Sequence, residues 1–191
     1  MRKTIIGLMA LALVGCTNTK QPTNETNNTV EEVERTNAET DTTGTDTTEE
    51  GTMAAGTTAP DFSLPTIDGK QLALSDLRGK YVIIDFWGSW CGWCIKGMPE
   101  MKKYYEKYGS KLEILGVDCG DTEEAWKEAV NTHQLTCKHL RNGECVNDIT
   151  GIYEVQGFPT KVLVDPEGKI VKYIVGEDPA FYTTLDEVLK N

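Results

Sequence analysis

The sequence predicts an α/β fold in which helices flank a mixed β-sheet, with a hairpin extension at the N-terminal end of the domain. Three observations predict it. Short apolar runs alternate with helix-length amphipathic stretches. The run Tyr81 to Trp87 leads directly into Trp90-Cys91-Gly92-Trp93-Cys94, a strand that opens a helix through two cysteines one turn apart. Two further strands near the C-terminus are joined by Asp165-Pro166-Glu167-Gly168, a turn with proline at its second position. The order strand, helix, strand, helix, hairpin, helix gives a sheet with both parallel and antiparallel neighbours.

Each element has a local cause. Phe62-Ser63-Leu64 and Gln71-Leu72-Ala73-Leu74 flank Ile67-Asp68-Gly69-Lys70 and read as a hairpin turning through Asp-Gly. Tyr81 to Trp87 is continuously apolar apart from Asp85, as expected of a central strand covered on both faces. Ile95 to Tyr108 reads as a helix interrupted and kinked by Pro99. Leu112 to Val117 is the next buried strand, and Thr122 to His133 the next helix, capped by Asp121 or Thr122. Cys137 to Leu140 reads as a short strand, followed by a small helix near Val146 to Tyr153. Thr160 to Val164 and Lys169 to Val175 form the last two strands. Asp178 caps the final helix, with Pro179 in its first turn and an end near Leu189.

These elements fill residues 56–191, enough chain for one hydrophobic core. The remainder has a different texture. Arg2 and Lys3 precede the apolar stretch Ile5 to Gly15, which is too short to span a bilayer, and Leu13-Val14-Gly15-Cys16 closes it with small residues before a cysteine. Residues 1–15 resemble a bacterial lipoprotein signal peptide with its lipobox. The resemblance implies cleavage before Cys16, a diacylglyceryl thioether on its sulfur and an acylated amino terminus; an ordinary signal peptide or a buried apolar segment is the alternative. Several acyl chains on one residue anchor a protein stably, so the expectation is attachment to the membrane without spanning it, in the bacterial cell envelope and facing the periplasm. Residues 16–55 then form a tether, because residues 17–55 hold 13 threonines and five asparagines with only Val30, Val33 and Met53 able to pack. Such a segment buries too little surface to offset its ordering entropy and reads as disordered.

The formal net charge is −11, and neither the tether nor the domain carries a basic footprint, which excludes nucleic acid as a partner. The chemistry lies in the cysteines. Cys91 at a helix start is the candidate nucleophile, since the helix dipole and its free N–H groups stabilise a thiolate, and its position outside the helix leaves it exposed to a substrate disulfide. Cys94, one turn inward and more shielded, is the candidate resolving thiol. A structural disulfide or half of a zinc site is the alternative. Zinc would need two more ligands, and His133, His139, Cys119, Cys137 and Cys145 show no second Cys-x-x-Cys and no His-x-x-x-His. No metal and no cofactor is therefore expected. Asp85 interrupts an apolar strand, where an unpaired carboxylate is costly or stays protonated unless it lies at a solvated edge. With Cys16 lipidated and Cys91 and Cys94 paired, three cysteines remain; Cys137–Cys145 and Cys119–Cys137 disulfides and idle buried thiols all stay open.

Ala59-Pro60-Asp61-Phe62, Leu77-Arg78-Gly79-Lys80, the segment Asp85 to Cys94, Pro99 and Gly157-Phe158-Pro159-Thr160 occur in an order and at spacings that resemble the thioredoxin fold. More narrowly they resemble the membrane-anchored thiol-disulfide oxidoreductases of the TlpA/ResA type, and the opening is shared with peroxiredoxins. The resemblance implies a thioredoxin-like fold across the whole predicted domain and a Cys91–Cys94 redox couple. It further implies a proton-shuttling role for Asp85 toward the resolving cysteine, and a cis-proline at Pro159 with Phe158 beside it as an edge for an extended substrate. Trp90, Gly92 and Trp93 would complete the substrate side. Two departures stand out. The dipeptide Gly92-Trp93 brings no positive charge to the thiolate, and Gly97 stands where some cytochrome c maturation members carry an acid, which weakens a cytochrome-specific role.

The function expected is a protein thiol-disulfide oxidoreductase that exchanges disulfides with extracytoplasmic client proteins, as a reductant fed by a membrane electron-donor protein. A peroxiredoxin-like thiol peroxidase is a second reading, although the threonine that activates peroxide is replaced by Gly88. A non-catalytic module that holds peptides at the Phe158-Pro159 edge is the third.

Overall fold

A computed structural model describes residues 53–143 and 149–190. The signal peptide, Cys16, residues 17–52 of the tether and Cys145 lie outside the described residues, whereas Met53, placed in the tether by sequence, is buried in the core, so the packed domain includes it. Among the described residues no helix is long and apolar enough to cross a membrane.

The first elements of the described residues are a two-stranded antiparallel hairpin of β1 (Ser63–Pro65) and β2 (Gln71–Ala73), in which Ser63 faces Ala73 and Pro65 faces Gln71. Gly69 turns the connection with φ +79°, a region open to glycine at no steric cost. Leu74, read from sequence as strand, instead opens a 3₁₀ turn, Leu74–Leu77. Its side chain is fully buried while the Asp76 carboxylate accepts the Ala73 N–H at 2.9 Å, and both favour turning the chain over extending it.

Five strands form the main sheet in the order β5-β4-β3-β6-β7: β3 (Tyr81–Trp87), β4 (Leu112–Asp118), β5 (Lys138–Arg141), β6 (Thr160–Val164) and β7 (Ile170–Val175). β3 is central, parallel to β4 and antiparallel to β6. β4 and β5 are parallel, and β6 and β7 form the C-terminal antiparallel hairpin. Helix α1 (Gly92–Tyr108) joins β3 to β4, α2 (Glu123–Thr132) joins β4 to β5, the single turn α3 (Ile149–Ile152) precedes β6, and α4 (Pro179–Leu189) closes the chain. α1 runs as one element through Pro99 and starts three residues before the sequence-based limit. Proline forfeits only the bond its N–H would have made to the Ile95 carbonyl, early in a long helix. Thr122, rather than Asp121, caps α2 by accepting the Ala125 N–H at 3.2 Å.

The alternation of β3 divides the core. Val82, Ile84 and Phe86 pack under the hairpin and α3 with Phe62, Leu64, Leu74, Ile149 and Tyr153. Ile83 and Trp87 point to the opposite face, where Ile83 meets Met101 and Phe181, and Trp87 meets Met98 and Trp126. Asp85 has the parity of this second face, the one covered by the helix that carries both cysteines.

Candidate active site

Cys91 and Cys94 are joined in a disulfide with their Cα atoms 5.2 Å apart. Cys91 is the N-cap of α1: its backbone is extended, its carbonyl accepts the Ile95 N–H at 3.1 Å, and its sulfur accepts the Cys94 N–H at 3.1 Å. One of the helix donors left without an intrahelical partner is thus aimed at the sulfur, the arrangement that favours negative charge there. Cys91 is only 6% exposed and Cys94 4%. The accessibility expected of Cys91 is therefore not seen in the disulfide form. Both sulfurs lie in a cluster with Trp87, Met98 and Trp126, with Phe158 against it, and the covalent bond holds the pair inside that cover.

The loop before Cys91 is pinned to the β4–α2 connection. The backbone N–H and the hydroxyl of Ser89 both donate to the Asp121 carboxylate at 2.7 Å, and the Trp90 indole donates to the Cys119 carbonyl at 3.1 Å. The Trp90 ring lies so close over Gly88 that a Cβ there would sit 2.4 Å from its nitrogen. Trp90 and Trp93 are 55% and 65% exposed, unusual for tryptophan. Trp90 meets Phe158 edge-on at 5.0 Å between ring centroids, and the Lys96 ammonium lies 4.4 Å from the Trp93 ring centre. The Phe158–Pro159 peptide is cis, the conformation the resemblance implies. Trp90, Gly92, Trp93 and Phe158 thus form an aromatic and largely open rim around a covered disulfide.

Asp85 lies mid-strand, opposite Gly116 of β4 and Lys161 of β6, which removes the solvated-edge alternative. Its side chain is 13% exposed and its Oδ1 has no hydrogen-bond partner, with the Lys161 ammonium 3.6 Å away. Burial pushes its carboxyl up to about 6; Lys161 pulls it down, and the nearby Glu177 adds to the rise. Lys161 itself is 1% exposed and donates to Glu177 at 2.6 Å. Neither Lys161 nor Glu177 was singled out from the sequence. A lysine inside the apolar run Thr160 to Val164 is a signal that could have found the first; nothing local marks the second.

Asp118, at the end of β4, is a further group missed by sequence. It is 1% exposed, and burial followed by hydrogen bonding to Asp121 raises its carboxyl to about 8. Asp121 is held low, against its own burial, by the bonds it receives from Asp118 and Ser89.

Cys119 and Cys137 are not bonded to one another, so the Cys119–Cys137 disulfide left open by the sequence is not formed. The two belong to opposite faces of the sheet. Cys119 packs with Val117 in the hairpin-side core, whereas Cys137 lies against the helix-side core with its sulfur 3.2 Å from His139 Nε2. Burial pushes the Cys137 thiol up to about 12 and the His139 imidazole down to about 4, so this pair is neutral and unreactive at neutral pH.

A dithiol couple at the start of a helix that follows the central strand of a five-stranded mixed sheet, with a cis-proline segment, defines a thioredoxin-like thiol-disulfide oxidoreductase. The AhpC/TSA family model matches residues 55–173, and the chain belongs to this family of thioredoxin-like proteins. It is similar to the thiol-disulfide oxidoreductase ResA of Bacillus anthracis, 40% identical over 127 residues that cover 65% of this chain and 72% of that one. ResA of Bacillus subtilis is 34% identical over 125 residues, 65% and 69% of the two chains. Among solved structures, the thioredoxin domain of a thiol-disulfide oxidoreductase from Bacteroides vulgatus matches with a TM-score of 0.66 at 34% identity, covering 71% of this chain and 98% of that one. A thiol:disulfide interchange protein from a Bacteroides species matches with a TM-score of 0.67 at 32% identity, covering 74% and 93%.

Proposed function

We propose that the protein is a lipid-anchored thiol-disulfide oxidoreductase of the bacterial cell envelope that faces the periplasm and reduces disulfides in client proteins. The observation that carries the reading is the Cys94 N–H donated to the Cys91 sulfur at 3.1 Å, on a residue whose side chain ends the helix dipole. In the reduced protein the Cys91 thiolate attacks a client disulfide. One client sulfur leaves as a thiolate and the other is bonded to Cys91 as a mixed disulfide. Cys94 then loses its proton to Asp85 and attacks the Cys91 sulfur, which releases the second client thiolate and closes the Cys91–Cys94 disulfide. The client has gained two electrons and the protein has lost two. A membrane electron-donor protein returns them.

The open rim of Trp90, Gly92, Trp93 and Phe158, with Pro159 behind it, would receive the extended client segment. Cys16 would hold the chain to the membrane through its acyl chains, and the threonine-rich residues 17–52 would let the domain reach clients away from the surface. The peroxidase reading is disfavoured by a specific contact: a threonine in place of Gly88 would collide with the Trp90 indole.

The test is a Cys94→Ser variant of the full-length protein expressed in a bacterial host and separated under non-reducing conditions. Mixed disulfides on Cys91 that disappear with a reductant are expected, and none should form in the Cys91→Ser, Cys94→Ser double variant. A Cys94→Ser variant that captures no partner would overturn the exchange mechanism. In parallel, Cys16→Ala is expected to move the protein from the membrane to the soluble fraction. A reduction potential well below that of oxidising couples is expected if the protein is a reductant.

A further inference from the structure

Lys161 and its two carboxylates are arranged unequally. The ammonium, 1% exposed in the centre of β6, sits 2.6 Å from Glu177 Oε1 but 3.6 Å from Asp85 Oδ1. Asp85 is the cross-strand partner of Lys161, so the register alone would favour a direct pair between them. Glu177 instead draws the ammonium toward itself and leaves Asp85 Oδ1 without a hydrogen bond.

Glu177 reaches this position from the connection between β7 and α4. Gly176, at φ +87°, turns the chain just before it, and Asp178 caps α4 just after, accepting the Ala180 N–H at 2.8 Å. Its side chain keeps 25% of its surface in solvent, and its second oxygen faces the Tyr182 hydroxyl at 3.4 Å. On the other side stands α1, where Gly97 leaves the space that the carboxylate fills: a Cβ on Gly97 would lie 2.2 Å from Glu177 Oε1 and 2.8 Å from its Cδ. Any larger residue at 97 would displace Glu177. The carboxylate, the ammonium and Asp85 therefore form a chain from solvent to the buried face beneath the cysteine helix.

We propose that Glu177 is a positioning residue of the redox site, seated by Gly97, which holds the Lys161 ammonium off Asp85 and so sets how readily Asp85 takes and returns a proton during exchange. The proposal rests on the reading of Asp85 as proton acceptor for Cys94. Its physical basis is simple. A buried carboxylate that has an ammonium to itself stays ionised, whereas one that must share the ammonium with a second carboxylate takes up a proton more easily. Glu177 acts on Asp85 in both ways, by competing for Lys161 and by its own charge.

The groups that face Asp85 are Lys161 from β6, Glu177 from the β7–α4 connection, Lys102 and Tyr105 from α1, Tyr182 from α4, and Cys137 and His139 from the β5 side. Tyr105 and Cys137 are both pushed up to about 12 and His139 down to about 4, chiefly by burial, so none of these three titrates near pH 6.

The experiment measures the carboxyl carbon of Asp85 by NMR against pH, together with the pH profile of client release from a mixed disulfide preformed on Cys91. Both use the protein itself and its Glu177→Gln, Gly97→Ala and Asp85→Asn variants. Glu177→Gln is expected to move the Asp85 midpoint, and the acid limb of the release profile, down by about one pH unit, because Lys161 is then free to pair with Asp85. Gly97→Ala should shift both in the same direction by less, since the displaced carboxylate remains nearby. An Asp85 midpoint in Glu177→Gln that coincides with the parent or lies above it overturns the proposal. If Asp85→Asn leaves the release profile unchanged, the relay reading itself fails, and the proposal fails with it. If Asp85→Asn removes the limb while Glu177→Gln leaves it in place, the relay stands and only the role of Glu177 is refuted.

Discussion

Replacing Asp118 by asparagine should change how the stability of the protein depends on pH, and the structure gives the size of the change. Asp118 is 1% exposed at the end of β4, where it faces Trp87 on one side and Arg141 on the other. Burial and the neighbouring Asp121 carboxylate raise its midpoint to about 8 from the model-peptide value of 3.8. Between these limits the folded protein holds a proton on Asp118 that the unfolded chain has released. Unfolding therefore releases one proton, and stability falls as pH rises, by about 1.4 kcal/mol per unit. The contribution is complete below pH 4 and is lost as pH climbs through 8. From pH 5 to pH 7 the loss attributable to this one group is on the order of 3 kcal/mol. Asparagine has nearly the same shape, keeps an N–H to donate to Asp121 and carries no titrating proton. The stability of Asp118→Asn relative to the parent should accordingly rise by roughly 3 kcal/mol over that interval and level off above pH 8. Urea unfolding of both oxidised proteins at pH 5, 6, 7 and 8, followed by tryptophan fluorescence, measures the difference directly. Asp85 also titrates in this range, but it is common to both proteins and cancels. Two stability curves that run parallel from pH 5 to pH 8 would refute the assignment of a retained proton to Asp118.

Other consequences are simpler. A Cβ on Gly116 would lie 2.6 Å from His139 Nδ1 and 3.1 Å from Trp87 Nε1, so Gly116→Ala should lower stability by about 1–3 kcal/mol in the same urea assay. An unchanged midpoint would mean that the two rings have room to move. With its thiol pushed up to about 12, Cys137 should resist iodoacetamide at pH 8 in the folded protein and react once urea unfolds it. Rapid modification of the Cys137 peptide in the folded state, read by mass spectrometry, would contradict the burial that raises it.

Most of the scaffold is visible in local sequence because its causes are local. Strand β3 announces itself as an apolar run, α2 and α4 by Thr122 and Asp178 at their caps, and the two hairpins by Asp68-Gly69 and Asp165-Pro166-Glu167-Gly168. The misses have local causes too. Leu74 is apolar and follows a strand, yet Asp76 folds back to cap the turn that begins there, a side-chain-to-backbone bond that periodicity cannot register. The candidate site divides along the same line. Two cysteines one turn apart at a helix start can be read from spacing, whereas the depth at which they sit depends on Trp126 and Phe158, which arrive from distant parts of the chain.

By itself the sequence determined the order of the elements, the pair of sulfurs at the head of α1 and a charged residue inside the central strand. Only the tertiary structure decided what surrounds those groups. It put Lys161 between Asp85 and Glu177, tied Asp121 to both Ser89 and Asp118, and sent Cys119 and Cys137 to opposite faces of the sheet. The physical reason is that helices, strands and turns arise from interactions among residues a few positions apart. The protonation of a buried carboxylate depends instead on which distant charges the sheet register and the packing of loops bring within a few ångströms of it.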